Sequence, residues 1–246
     1  MQSAPIPEQK RRDSHEREHG EAVRAMFDRI APTYDTLNRV MSLGVDVRWR
    51  KRAVRELAGA PPGPILDLCA GTLDLSKLVA ERMPDRELTA GDFSAEMLEK
   101  GRHKAPRARR VVCDAMDLPF PDASYAGIIA SFGIRNVSKT ELAAKEARRV
   151  LRPGGLFVTL EFFKPESLRA KAFHGVYARA VLPTVGAAIS GERSAYAYLA
   201  ESMKGFLTRS EYEDVLRDAG FASVRGYDLL LGIASVVVGI APERAA

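Results

Sequence analysis

Apolar residues recur along this chain in two alternating rhythms. Residues 22–57 carry them at three- and four-residue intervals, the spacing of amphipathic helices, with breaks at Ala31–Pro32–Thr33 and Leu43–Gly44. From residue 64 short unbroken apolar runs take over. Segments 64–68, 87–92, 110–113, 125–130 and 156–162 are too short for helices and read as strands. Between them lie helical stretches at 73–82, from Ser94 onward, and at 139–151. Ser94 stands where an N-cap belongs, and Arg152–Pro153–Gly154–Gly155 stops the third stretch. A helical insert over 167–190 follows, then a helix at 209–219 and strands at 221–227 and 233–240. Residues 1–20, with Pro5, Pro7 and a mixed-charge run, read as a flexible tail ahead of one domain spanning 21–246.

Strands that alternate with helices predict an α/β fold whose sheet is covered on both faces. The strands agree, because they are apolar almost throughout rather than at every second position. The expected architecture is Rossmann-like: an open, doubly wound, seven-stranded, mostly parallel sheet with an N-terminal helical prefix. Such sheets bind ligands beyond the carboxyl ends of their strands, where strand order reverses. The residues at those ends are therefore the first place to look for chemistry.

After the first strand comes Asp67–Leu68–Cys69–Ala70–Gly71–Thr72–Leu73–Asp74. Its small residues let backbone approach a ligand, and Thr72 offers a hydroxyl to a carboxylate. The second strand ends in Asp92, placed to accept the hydroxyls of a ribose. The third leads to Asp114–Ala115, an acceptor for an exocyclic amine beside a small side chain that leaves room for a ring. The fourth ends near Ser131. A dinucleotide site would want G-x-G-x-x-G after the first strand, and Ala70, Gly71 and Leu73 do not supply that spacing. A nucleoside without a pyrophosphate fits better, and S-adenosylmethionine is such a ligand.

Composition narrows the partners. The 246 residues carry a formal net charge of +5, a mildly basic balance suited to an anionic cofactor or membrane face. No dense basic stripe with interleaved aromatics stands out, so nucleic acid is not expected. Two cysteines and four scattered histidines give no zinc pattern or disulfide framework, and no metal is expected. No apolar run is long enough to span a bilayer and the first residues are polar, so a soluble cytoplasmic protein is expected.

At these residues the chain resembles the C-methyltransferases of menaquinone and ubiquinone synthesis. The landmarks are Met26–Phe27 with Ile30–Ala31 and Tyr34–Asp35, Asn38, Ser42–Leu43–Gly44 and Trp49–Arg50. They continue through Leu66–Asp67–Leu68 with Gly71–Thr72, Gly91–Asp92–Phe93–Ser94 and Asp114–Ala115. The most specific is Ser131–Phe132–Gly133–Ile134–Arg135–Asn136, and Leu160–Glu161–Phe162 and Tyr196 with Tyr198 complete the run. The resemblance implies a class I methyltransferase fold and S-adenosylmethionine as cofactor, held at Thr72, Asp92, Asp114, Ala115 and Ser131. It also implies methyl transfer to a ring carbon of a prenylated quinol, demethylmenaquinol. Such an acceptor lives in the bilayer, which adds transient contact with the inner face of the membrane to the expectation. Arg48–Trp49–Arg50–Lys51–Arg52 with Arg55, and the insert at 170–189, are the candidate contacts.

For the chemistry, Glu161 or His174 is a candidate base, and Arg135 or Asn136 a candidate partner for a developing phenolate. Tyr34, Tyr196 and Tyr198 are candidates to line the pocket. One position departs from the family, which reads G-T-G-D where this chain has Gly71–Thr72–Leu73–Asp74. A leucine resists positive φ and is expected to add bulk beside the methionine end of the cofactor. A methyltransferase for a soluble aromatic acceptor and a non-catalytic relative both remain open, as does a homo-oligomer.

Overall fold

In the computed structural model, residues 44–166 and 205–243 are described throughout, together with 20–21, 23–29, 31, 34–35, 39, 42, 168, 171 and 201–203. The tail at 1–19, most of the insert at 167–190, and with them His174, Asn38, Tyr196 and Tyr198, lie outside the described residues.

Helix α1 (Asp46–Leu57) buries Trp49, Ala53, Val54 and Leu57 on one face and turns Arg48, Lys51, Arg52 and Arg55 outward. The alternation then runs as the apolar runs predict. Strand β1 (Ile65–Leu68) is followed by α2 (Asp74–Arg82), β2 (Leu88–Asp92), α3 (Ala95–Gly101) and β3 (Arg109–Val112). Strand β4 (Tyr125–Ser131), a single 3-10 turn at Ile134–Asn136, α4 (Thr140–Val150) and β5 (Leu151–Glu161) come next. Helix α5 (Arg209–Asp218), β6 (Ser223–Leu229) and β7 (Ala234–Ile240) close the described chain.

The seven strands form one sheet in the order β3-β2-β1-β4-β5-β7-β6. Pairing is parallel from β3 through β5, whereas β7 runs antiparallel to both β5 and β6. Successive side chains on one strand feed opposite faces. Ile65, Ile129, Val158 and Leu160 join α1 and α2 in one core, while Leu66, Leu68, Ile128 and Phe157 join α4 and α5 in the other. Strand order reverses between β1 and β4, which puts the switch point at the carboxyl ends of those two strands.

The largest boundary difference from the sequence reading is at the fifth strand, because that reading carried the helix after β4 through Leu151 and began the strand at residue 156. The helix stops at Val150 and the strand already pairs at Leu151, opposite Tyr125. Pairing then breaks across 152–155 and resumes at Leu156 opposite Gly127, so the Pro–Gly–Gly segment is a bulge inside a strand rather than a loop before one. At α5 a capping box of Thr208 and Glu211 fixes the start of the helix. Among the described residues no helix is long and apolar enough to cross a membrane.

Helix α5 is also held from below. The Tyr212 hydroxyl, fully buried, meets the Thr159 hydroxyl of β5 at 2.9 Å. Tyr212→Phe leaves Thr159 without that partner inside the core and is expected to cost about 1–2 kcal/mol. Thermal unfolding checks this, and an unchanged Tm would show that the bond contributes nothing.

Candidate functional site

The carboxyl ends of the strands bend sharply. After β1, Cys69, Gly71 and Leu73 all take left-handed backbone, with φ of 56°, 53° and 62°. After β4, Phe132 does the same at 57°. These reversals stop the strands abruptly and aim the next backbone N–H groups across the sheet edge. The tips of β1 and β4 touch there. A Cβ on Gly133 would sit 2.3 Å from the Cβ of Cys69, so no larger residue fits.

One carboxylate organises the turn. Asp92, at the end of β2, accepts the Gly71 N–H at Oδ2 (2.7 Å) and the Ser94 N–H at Oδ1 (2.9 Å). Desolvation raises its pKa, against the pull of its backbone donors, and the nearby Asp28 adds to the rise. At the end of β3, Asp114 accepts the Met116 N–H at 2.8 Å, with Ala115 buried beside it.

A cavity of about 520 Å³ runs along these ends, a size typical of small-molecule sites. Asp114, Ala115 and Met116 line it at β3, Asp92 and Phe93 at β2, Cys69 and Gly71 at β1, and Phe132 and Gly133 at β4. The groups follow the strand order, so a long ligand would meet them in sequence. Helical residues 23–29 close one side, with Arg24 stacked over the Phe93 ring at 5.5 Å and the Ser94 hydroxyl donating to Asp28. Tyr34 lines the cavity, as the sequence suggested.

Both thiols line it as well, and burial pushes both up, Cys69 well above the usual range and Cys113 to about 12. They therefore stay protonated at neutral pH. Both stand at strand ends, Cys69 in the turn after β1 and Cys113 just past β3, although neither was a candidate site residue.

The structure brings Asp92, Asp114 and Ala115 together in one cavity, with Tyr34 and Asn136 also in its lining, and leaves Thr72, Ser131, Arg135 and Glu161 outside it. Thr72 is buried, and its hydroxyl is spent on Asp35. Ser131 does not line the cavity, although its neighbours Phe132 and Gly133 do. Arg135 and Glu161, the candidates for phenolate partner and base, face each other instead. Arg135 Nη1 lies 2.8 Å from Glu161 Oε1, and Glu161, with no exposed surface, also accepts the N–H groups of Phe162 (2.8 Å) and Arg135 (3.3 Å). This buried pair pins the 3-10 turn after β4 to the end of β5; neither member lines the cavity.

Trp49 is likewise not a surface residue. It packs against Phe132 and Phe162, 5% exposed, and Arg50 is buried in an ion pair with Asp46. The basic run is thus split, with only its cationic face outward. Asp67, inside the sheet, is raised by burial to about 7, opposed by the Ser76 hydroxyl that donates to it at 2.5 Å.

Comparison with known proteins adds the decisive observation. The sequence pattern described as the ubiE/COQ5 methyltransferase family matches residues 12–241. The chain belongs to this family. It is 42% identical over 229 residues to the ubiquinone/menaquinone biosynthesis C-methyltransferase UbiE of Geotalea daltonii, covering 90% of this chain and 97% of that one. It is also 42% identical over 221 residues to a demethylmenaquinone methyltransferase of Thermus thermophilus, covering 88% and 100%. A methyltransferase structure from Thermotoga maritima superposes with a TM-score of 0.62 at 19% identity, covering 88% of this chain and 98% of that one. The cyclase SpnF superposes at 0.66 with 16% identity over 90% and 95%. At such identities the likeness is one of fold.

Within this family Leu73 is the departure, and the structure shows how it is accommodated. The residue does take positive φ, and its side chain, fully buried, points into the core beside α3 rather than into the cavity. The side chain therefore adds no bulk to the cavity. Two opposing costs set its replacement. Glycine would relieve about 1–2 kcal/mol of left-handed strain, while losing a buried leucine costs about 2–5 kcal/mol. Leu73→Gly is expected to lower stability, and Leu73→Ala to lower it further, because alanine loses the packing without relieving the strain. Chemical denaturation ranks the three proteins; a stabilised Leu73→Gly would show that strain outweighs packing.

Proposed function

We propose that this chain methylates a ring carbon of a prenylated quinol, demethylmenaquinol, using S-adenosylmethionine. The observation that carries the reading is the row of groups along one cavity, Asp114–Ala115, then Asp92, then Gly71, in a member of the ubiE/COQ5 family. The names of the Geotalea and Thermus relatives supply the acceptor class.

The residues fit the cofactor. Asp92 already accepts backbone N–H groups, those of Gly71 and Ser94 among them, and keeps acceptor capacity for the ribose hydroxyls. Asp114 is an acceptor for the adenine amine, and Ala115 leaves the ring its space. Gly71 brings the chain close at the methionine end. When bound, the cofactor supplies an activated methyl on a sulfonium, which leaves sulfur and joins the ring carbon as that carbon's proton is lost.

The chain contributes position and exclusion. Phe27, Phe132, Val137 and Leu142 line the cavity with apolar surface that keeps water from the reacting centres. Protonated Cys69 and Cys113 are poor nucleophiles, so the methyl is not lost to the protein's own sulfur. The Arg135–Glu161 pair holds the turn that carries Gly133 and Asn136 into the lining.

A prenyl chain requires access to the bilayer. The outer face of α1 presents Arg48, Lys51, Arg52 and Arg55, and each cation adds about 1 kcal/mol of attraction near an anionic surface. With Trp49 buried, that attraction is electrostatic and therefore sensitive to salt.

The test is transfer of a labelled methyl from S-adenosylmethionine to demethylmenaquinol in detergent. Product methylated on the ring carbon is expected. Cofactor binding without product would favour a soluble aromatic acceptor, and absence of binding a non-catalytic relative.

A further inference from the structure

Behind the methionine end of the cavity lies a small polar cluster with no role so far. Tyr34 and Gly71 line the cavity, and their chain neighbours Asp35 and Thr72 meet just beyond it. The Thr72 hydroxyl donates to Oδ1 of Asp35, and the Lys104 ammonium lies 2.5 Å from Oδ2 of the same carboxylate. Lys104 also reaches Asp74 Oδ1 at 2.7 Å and Thr72 Oγ1 at 3.3 Å.

Together Thr72 and Lys104 form a carboxylate receptor, with one hydroxyl donor and one ammonium closing on the two oxygens of a single carboxylate. Three features suit it to that purpose. Lys104 is held independently by Asp74, which the Lys104 and Arg50 cations keep below the usual carboxylate range despite its desolvation. The ammonium therefore stays in place when Asp35 leaves. Asp35 is the more exposed of the two carboxylates, 37% against 21% for Asp74, so returning it to water costs less. The turn itself is rigid. Helix α3 presses so closely on it that a Cβ on Gly101 would meet the Thr72 carbonyl carbon and oxygen.

We propose that Lys104, with Thr72, binds the α-carboxylate of S-adenosylmethionine, and that Asp35 occupies this receptor until the cofactor displaces it. The inference rests on the cofactor reading given above. It also explains why Thr72, expected on the cofactor, is buried against Asp35: the receptor is filled by the chain's own carboxylate. Binding exchanges one carboxylate for another, so affinity is reduced by the fraction of molecules in which Asp35 is seated. Release of Asp35 frees the segment at 34–35 that adjoins the cavity, which couples cofactor entry to the helical prefix.

Two ligands separate this role from a structural one: S-adenosylmethionine and its decarboxylated analogue, which keeps the sulfonium and amine but lacks the carboxylate. Affinities are measured by calorimetry on the full chain, with thermal melts confirming the fold of each variant. Lys104→Met is expected to weaken S-adenosylmethionine by about tenfold or more and to leave the analogue unchanged. Asp35→Asn is expected to tighten S-adenosylmethionine by about threefold, again without effect on the analogue. Equal losses for both ligands in Lys104→Met would make Lys104 a scaffold residue and overturn the proposal. So would weaker binding in Asp35→Asn, which would mean that Asp35 retains the cofactor rather than yielding to it. If the folded wild-type protein binds neither ligand, the cofactor reading itself falls, and this inference with it.

Discussion

The hydrogen bond from the Gly71 N–H to the Asp92 carboxylate ties the turn after β1 to the end of β2, beside the β1–β4 junction where strand order reverses. That turn has three left-handed residues within five, two of which carry side chains. It persists because its surroundings over-determine it. Leu73 is locked in the core, Gly101 of α3 sits against the Thr72 carbonyl, and Gly133 leaves room for Cys69. The same carboxylate that fastens the turn faces the cavity with its remaining lone pairs. One carboxylate thus both fastens the turn and lines the cavity.

Around that bond the molecule sorts its buried charges by what surrounds them. Glu161 and Arg135 neutralise each other inside the protein and act on the shape of a turn. Asp67 has a single hydroxyl partner and is raised by burial to about 7, so its charge is suppressed through much of the acid range. Asp92 also feels burial but is supported by backbone donors and opens on the cavity. Of these three acids, on β5, β1 and β2, only the last is both supported and accessible. Asp114, one strand further out, extends the accessible row to the sheet's edge.

The fold was legible because parallel strands buried on both faces leave an unmistakable apolar run, and because proline, glycine and capping residues punctuate the runs. Asp92, Asp114 and Ala115, read from strand ends, line one cavity. What stayed hidden depends on long-range contact. Nothing local announces that Glu161 meets Arg135, that Asp35 reaches Lys104 across 69 residues, or that Trp49 in a basic run turns inward. The amphipathic spacing of α1 held the last clue, since Trp49, Ala53 and Leu57 share one helical face. Leu73 misled for a related reason. Its departure from the family pattern was visible, but the direction of its side chain was set by α3, which the sequence could not orient.

In the proposed reading Asp92, at the end of β2, holds the cofactor's ribose. Calorimetric titration of S-adenosylmethionine into the wild-type protein and Asp92→Ala tests it most directly. Loss of two hydrogen bonds to a carboxylate is expected to weaken binding by at least about tenfold, with the variant still folded by circular dichroism. Equal affinity in a folded variant would contradict the assignment and move the nucleoside away from the end of β2.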